Sequence, residues 1–306
     1  MDMLEGILLT IVTAATPLVF AAIGELVSER AGVLNLGVEG MMAVGAVCGF
    51  AAANLSGEPV VGVLAGILAG MVMASLFAVV TLIFVANQVA SGLALTLFGL
   101  GLSALIGDAF VGIPGIGMPH VHIPVLSDIP VVGVLIFGED PLTYLAVILT
   151  IVVAWFLFRT RGGLILRSVG DNQVSAHALG YGVVKVRFLA VLFGGACAGI
   201  GGAYLSLVYT PQWTQNMTAG RGWIALALVV FASWLPVRVL IGAVLFGGIS
   251  ILQLHAQGFN VPIPSQFLSM LPYLTTIIVL VLISRNRTLL RVNTPACLGQ
   301  PFVPDR

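Results

Sequence analysis

Several polar side chains crowd one short stretch, Gly24-Glu25-Leu26-Val27-Ser28-Glu29-Arg30-Ala31-Gly32-Val33-Leu34-Asn35-Leu36-Gly37-Val38-Glu39-Gly40, which lies between two apolar runs. Glu25 and Glu29 are four residues apart, as are Asn35 and Glu39, so on a helix each pair shares a face. Gly32, Gly37 and Gly40 let the backbone break between the pairs. Lipid cannot satisfy a broken helix, and a carboxylate at that depth is costly, so the stretch should face protein or a polar cavity. The chemistry on offer is hydrogen bonding to a polar solute, or handling of a proton or cation. Glu29, Asn35 and Glu39, together with Asn87, Ser91 and Gln215 further along, are the candidate pathway residues. The competing reading is a surface turn in which Glu29 pairs with Arg30.

A second stretch, Arg167-Ser168-Val169-Gly170-Asp171-Asn172-Gln173-Val174-Ser175-Ala176-His177-Ala178-Leu179-Gly180-Tyr181-Gly182, reads as a short surface helix. Asp171 can cap its N-terminus, Val174, Ala178 and Leu179 form one small apolar face, and Gly180 can end it in a left-handed conformation. A capped helix with an apolar face suits docking into a groove of another protein. A helix lying on the membrane is the alternative, but such anchors carry bulkier apolar side chains. His177 stands alone and reads as a contact residue, not a metal ligand.

The elements that must position these stretches lie in a membrane. Of 306 residues, 59% are apolar and 8% charged, where roughly 25% charged is usual in soluble chains. At about 20 residues per crossing the length allows roughly eight to ten spanning helices and no sizeable soluble domain. Apolar runs predict nine, over about 4–23, 37–54, 60–86, 92–111, 142–158, 188–209, 223–234, 239–255 and 267–283. The expected fold class is therefore all-α, a polytopic helical bundle forming a single transmembrane domain over 1–306. The acidic start Met1-Asp2-Met3-Leu4-Glu5 does not suit a signal peptide, so the first apolar run is expected to span.

Charge position orients the bundle. Arg159, Arg161, Arg167, Lys185 and Arg187 bracket a loop at about 162–186, and Arg285, Arg287 and Arg291 follow the last run, so loop and tail (about 285–306) should be cytoplasmic. Four segments separate the two basic regions, so the short seventh must cross. The loop at about 112–141 has five prolines, Asp128, Glu139 and Asp140 and no Lys or Arg, as an outward loop should. The N-terminus then falls outside.

Several function classes are excluded. Lys185 is the one lysine and no GxxxxGK[ST] occurs, so the chain cannot hydrolyse a nucleotide by P-loop chemistry. His120, His122, His177 and His255 form no HExxH, and no GxSxG is present, which removes the usual intramembrane hydrolase signatures. Cys48, Cys197 and Cys297 form no CxxC and read as reduced thiols. There is no basic surface for nucleic acid. Gly45, Gly49 and Ala53, Gly62, Gly66 and Gly70, and Gly194, Ala198 and Gly202 each recur at i, i+4, i+8, giving three helices a flat stripe for close packing.

The run from Gly24 to Gly40, the segment Asn87-Gln88-Val89-Ala90-Ser91-Gly92, the loop from Gly170 to Gly182 with Lys185, and Gly220-Arg221-Gly222-Trp223-Ile224-Ala225-Leu226-Ala227 together resemble the permease subunits of bacterial ABC importers. The resemblance is to the branched-chain amino acid and simple-sugar permease family, closest to its nucleoside-type members, and covers about Pro17 to Ile283. It implies a type II importer-like permease in the inner membrane. Its partners would be a second permease subunit, ATPase subunits that carry the ATP and Mg, and an extracytoplasmic binding protein, with no cofactor on this chain. It places Asp171, Asn172, Ala176, Ala178 and Gly180 where the coupling helix meets the ATPase. His177 departs from the family's pattern there. The alternative function is an ion-coupled carrier using Glu25, Glu29, Glu39 or Asp108.

Overall fold

The computed structural model describes residues 3–119, 138–258, 265–284 and 293–303. Helices α1 (Met3–Arg30), α2 (Val38–Ser56), α3 (Pro59–Ala78), α4 (Gln88–Gly107), α5 (Pro141–Arg159), α8 (Val183–Tyr204) and α10 (Pro236–Gly258) carry the bundle. Between α5 and α8 lie α6 (Arg161–Asp171) and α7 (Gln173–Ala178); α9 (Arg221–Phe231) precedes α10, and α11 (Ser265–Ser269) and α12 (Leu271–Ser284) follow it. Helix ends follow local chemistry: Pro59 and Pro141 open α3 and α5 at positions whose N–H has no helical partner, and Gly57 closes α2 in the left-handed region at φ 79°.

Among the described residues seven helices, not nine, are long and apolar enough to cross a bilayer. The expected seventh span is α9, whose 11 residues reach only about 16 Å, half of the hydrocarbon thickness. Asn216, Ala219 and Gly220 all have positive φ, which holds the chain irregular until Arg221. The stretch nevertheless traverses the bundle. Helix α8 starts where Arg187 meets Ala31, and Trp234, just past α9, is back beside Arg30 at that same end. The expected ninth span is divided into α11 and α12, with Pro272, which cannot donate to a continuing helix, in the first turn of the second.

The glycine stripes do pack helices. A methyl group at Gly45 would lie 2.6 Å from the Gly199 carbonyl oxygen, one at Gly49 2.9 Å from the Ala203 methyl, and one at Gly62 2.6 Å from the Gly49 oxygen. Methyls at Gly70 and Gly199 would overlap the Gly195 and Gly66 oxygens. Helices α2, α3 and α8 thus touch backbone to backbone, and the face of α8 against α3 is Gly195, Gly199 and Ala203, one residue on from the stripe read in the sequence. Gly199→Ala should lower the melting temperature through overpacking of roughly 1–3 kcal/mol, whereas Gly101→Ala, with open space around it, should not. Equal melting of the two variants by scanning fluorimetry would remove this account.

Candidate functional site

The break between α1 and α2 is built from buried polar groups. The chain leaves α1 at Arg30, passes Gly32 at φ 88°, and doubles back so that the Asn35 N–H donates to Glu25 Oε1 at 3.0 Å. Asn35 and Glu39 do not share a helix face as their spacing suggested. Asn35 lies in the break, where its Oδ1 accepts from the Gly37 N–H at 2.9 Å, and Glu39 sits in the first turn of α2. The surface-turn reading of Glu29 and Arg30 also fails, since both are buried and both are used elsewhere. The Trp234 indole N–H donates to Glu29 Oε2 at 2.6 Å, and Arg30 donates to the Trp234 carbonyl through Nε at 3.2 Å and Nη2 at 2.9 Å. Ser233 and Trp234 hold φ of 50° and 55°, so this clamp fixes a turn that non-glycine residues rarely adopt.

Glu39 holds the start of α9. Its Oε1 accepts from the Thr218 hydroxyl at 2.6 Å and the Gly220 N–H at 2.8 Å, and its Oε2 from the Gly222 N–H at 2.6 Å. These N–H groups belong to the first turn of α9, which has no helical acceptors for them, and the carboxylate also meets the positive end of the helix dipole. A helix can therefore begin inside the protein. Glu29 and Glu39 together pin both ends of α9 to the α1–α2 break. Nothing local in the sequence signals this, because the partners lie about 180 residues away.

Asn87, Ser91 and Gln215 are placed differently. Asn87 is exposed and caps α4, its Oδ1 accepting from the Ala90 N–H at 3.0 Å. Ser91, half-buried, lines a cleft of about 280 Å³ between α3 and α4 with Phe77 and Leu95. Gln215 is exposed in the irregular segment before α9, and Asp108 is exposed just past α4. Among the described residues no three His, Cys, Asp or Glu side chains could hold a metal ion.

At the end of the bundle that carries Arg30 and Arg187, the stretch read as one helix is two. Asp171 is the last residue of α6, and the cap of α7 is Asn172, whose Oδ1 accepts from the Ser175 N–H at 2.9 Å. The left-handed stop at Gly180 is present, φ 89°, with the Gly180 N–H donating to the His177 carbonyl at 2.8 Å. Ala176 is buried, Ala178 and Gly180 are exposed, and Val174 and Leu179 stand 66% and 77% exposed. Asp171 and Asn172 are exposed beside them.

The tail runs beneath this platform. The Cys297 N–H donates to the Gly170 carbonyl at 2.9 Å, the Gly299 N–H to Gly32 at 3.1 Å, and Gln173 Nε2 to Pro301 at 3.0 Å. Arg187, fully buried, joins break and tail by donating to the Ala31 and Gln300 carbonyls, both at 3.0 Å. Phe302 packs against Val169, Ala176 and Val183 with its ring 5.4 Å from His177. The pull on Ala176 can be measured. In a Phe302→Ala background, a cysteine replacing Ala176 should react with maleimide about tenfold faster, the equivalent of roughly 1.4 kcal/mol of lost packing. An unchanged rate would mean that the tail does not hold α7.

Seven long apolar helices, α2, α3 and α8 among them interlocked through glycine, with buried carboxylates pinning an internal broken segment and exposed apolar side chains on a short helix at one end, define a polytopic membrane protein. Over residues 7–282 the chain matches the family described as branched-chain amino acid transport system / permease component, and it belongs to that family. It is 41% identical to the Haloferax volcanii protein TsgC13, whose name assigns it to glucose ABC transport as a permease, covering 99% of this chain and 98% of that one. It is 36% identical to the nucleoside ABC transporter permease protein NupC of Lactococcus lactis, over 91% and 92%, and 32% identical to the guanosine ABC transporter permease protein NupQ of Bacillus subtilis, over 95% and 94%. The nucleoside ABC transporter permease protein NupB and the guanosine ABC transporter permease protein NupP of the same two organisms also match, over 38% and 39% of this chain. The chain is thus a membrane permease subunit of an ABC importer, and its role is transport.

Proposed function

We propose that this permease moves nucleosides or related sugar-like solutes inward across the cytoplasmic membrane, as one half of a pair with a second permease subunit. The observation that carries the substrate class is full-length similarity both to nucleoside permeases and to a glucose permease, whose cargoes share a hydroxyl-bearing sugar ring. The whole chain serves as one transmembrane domain, with the 162–186 loop and the tail cytoplasmic and the N-terminus outside. The exposed α7 platform, with Asp171, Asn172, Ala178 and Gly180 at its surface and Ala176 holding it from beneath, docks a separate ATPase subunit that binds the ATP and Mg. Closure of the ATPase pair then switches the helices between two openings. Asn87, Ser91 and Gln215 supply solute-facing hydrogen bonds, while Glu29, Asn35 and Glu39 shape the pathway from behind by fixing the break and α9.

The test is co-purification with the ATPase and the extracytoplasmic binding protein, followed by a ligand screen on the latter. A nucleoside such as guanosine should bind most tightly, with glucose next; preference for leucine would overturn the substrate reading. Uptake should stop on ATP depletion. Uptake that survives it and collapses with the ion gradient would favour a carrier instead. Ser91→Leu or Gln215→Leu should reduce transport roughly tenfold, the size expected when one substrate hydrogen bond is lost, with normal complex assembly.

A further inference from the structure

At the opposite end of the bundle from α7, an acidic pair opens α5. Asp140 is fully used: Oδ1 accepts from the Leu142 and Thr143 N–H groups at 2.9 and 3.0 Å, and Oδ2 from the Thr143 and Tyr204 hydroxyls at 2.7 and 2.9 Å. Glu139 beside it is not. Its side chain is 2% exposed, its N–H donates to the Tyr144 hydroxyl at 3.2 Å, and its buried Oε1 has no hydrogen-bond partner. Asp140 needs no outside partner; Glu139 does.

Glu139 lines a cavity of about 430 Å³ between α1, α5 and α10, the size of many small-ligand sites. Among the described residues the rest of its wall is apolar apart from the hydroxyls of Thr16, Thr143 and Tyr144, with no Lys, Arg or His. Val147, Ile148 and Val244 line the cavity and are 40%, 55% and 43% exposed, so it opens sideways on the outer surface of the helix bundle. Two neighbouring carboxyl groups, with no cation between them among the described residues, repel an anionic head and attract an ammonium. Burial, and then the neighbouring Asp140, push the Glu139 carboxyl up to about 7, so near neutral pH a proton and a bound ammonium compete for it.

We propose that this cavity is a binding site for an ammonium-headed membrane lipid, its ammonium group at the Glu139 carboxyl group and an acyl chain along the apolar groove of α1, α5 and α10. The occupant is taken to be phosphatidylethanolamine of the surrounding leaflet, because the groove opens to the bilayer and the orphaned carboxylate favours a primary ammonium over an anionic or uncharged head. The site is independent of which solute is transported.

The test uses the full chain in its purified assembly, exchanged into nanodiscs of phosphatidylglycerol with or without phosphatidylethanolamine. Native mass spectrometry should find phosphatidylethanolamine retained on the wild-type chain and at least tenfold less on Glu139→Gln, which keeps the shape and removes the charge. Phosphatidylethanolamine should also raise the melting temperature of the wild type by roughly 3 °C and leave that of Glu139→Gln unmoved. Val244→Trp, which fills the groove and spares the carboxylate, should lose retention as well, and it serves if Glu139→Gln does not fold. Equal retention of phosphatidylglycerol, or undiminished retention of phosphatidylethanolamine on both variants, would overturn the proposal. So would stabilisation by added dodecylammonium without any by phosphatidylethanolamine, which would assign the site to free amines.

Discussion

Glu39→Ala should prevent the protein from accumulating in a folded form. The substitution removes the acceptor of three hydrogen bonds at once and leaves the Thr218 hydroxyl and the N–H groups of Gly220 and Gly222 without partners. Bonds to a charged group are worth about 1.5–3 kcal/mol each, and together they approach the whole stability of an ordinary domain, about 5–15 kcal/mol. Helix α9 cannot substitute another acceptor, because its first turn has none of its own. Glu39→Gln keeps one acceptor oxygen but turns an N–H₂ towards a donor, so it should fall between wild type and alanine in melting temperature. Fluorescence-detected size exclusion followed by a thermal ramp reads the order. Wild-type melting of Glu39→Ala would show that the carboxylate does not hold α9, and the search for its role would return to solute contact.

The second large effect is expected on coupling and not on folding. Ala178→Arg adds a long cation to an exposed position on α7, where nothing in the chain itself would be displaced. Leu179→Asp replaces the most exposed apolar side chain of that platform with a charge. Either change should reduce transport to background and abolish solute-stimulated ATP hydrolysis, because a docking contact sized for a methyl group or an aliphatic knob rejects an unpaired charge by several kcal/mol. Membrane insertion and melting temperature should stay near wild type. Transport at the wild-type rate in both variants would take α7 out of the ATPase interface. The same variants separate this platform from the α1–α2 break, since Glu39 variants lower stability and these do not.

The described part of the tail, 293–303, lies at the same end of the molecule as α6 and α7, joined through Cys297, Gly299 and Gln173; Arg285, Arg287 and Arg291 lie outside the described residues. Impermeant thiol labelling of intact cells should spare a cysteine replacing Gly182 and modify one replacing Ser127, in a chain whose native cysteines have been removed. The reverse pattern would invert the topology.

What the sequence alone determined was whatever depends on composition or on spacing within one element. An 8% charged chain has to live in lipid, glycines four apart have to make a flat helix face, and glycines among carboxylates have to break a helix inside protein. Each is a local or summed property, readable one segment at a time. The tertiary structure decided who meets whom. That Glu39 caps a helix starting at Arg221, that Glu29 and Arg30 grip Trp234 and not each other, and that Arg187 ties the tail to the break are pairings across distances of about 110–205 residues. The same pairings explain why the seventh of the expected spans is a short helix. An apolar run is read as a crossing because lipid would punish any shorter helix, yet α9 is satisfied by a buried carboxylate, so the requirement that sets helix length in lipid does not apply inside the protein.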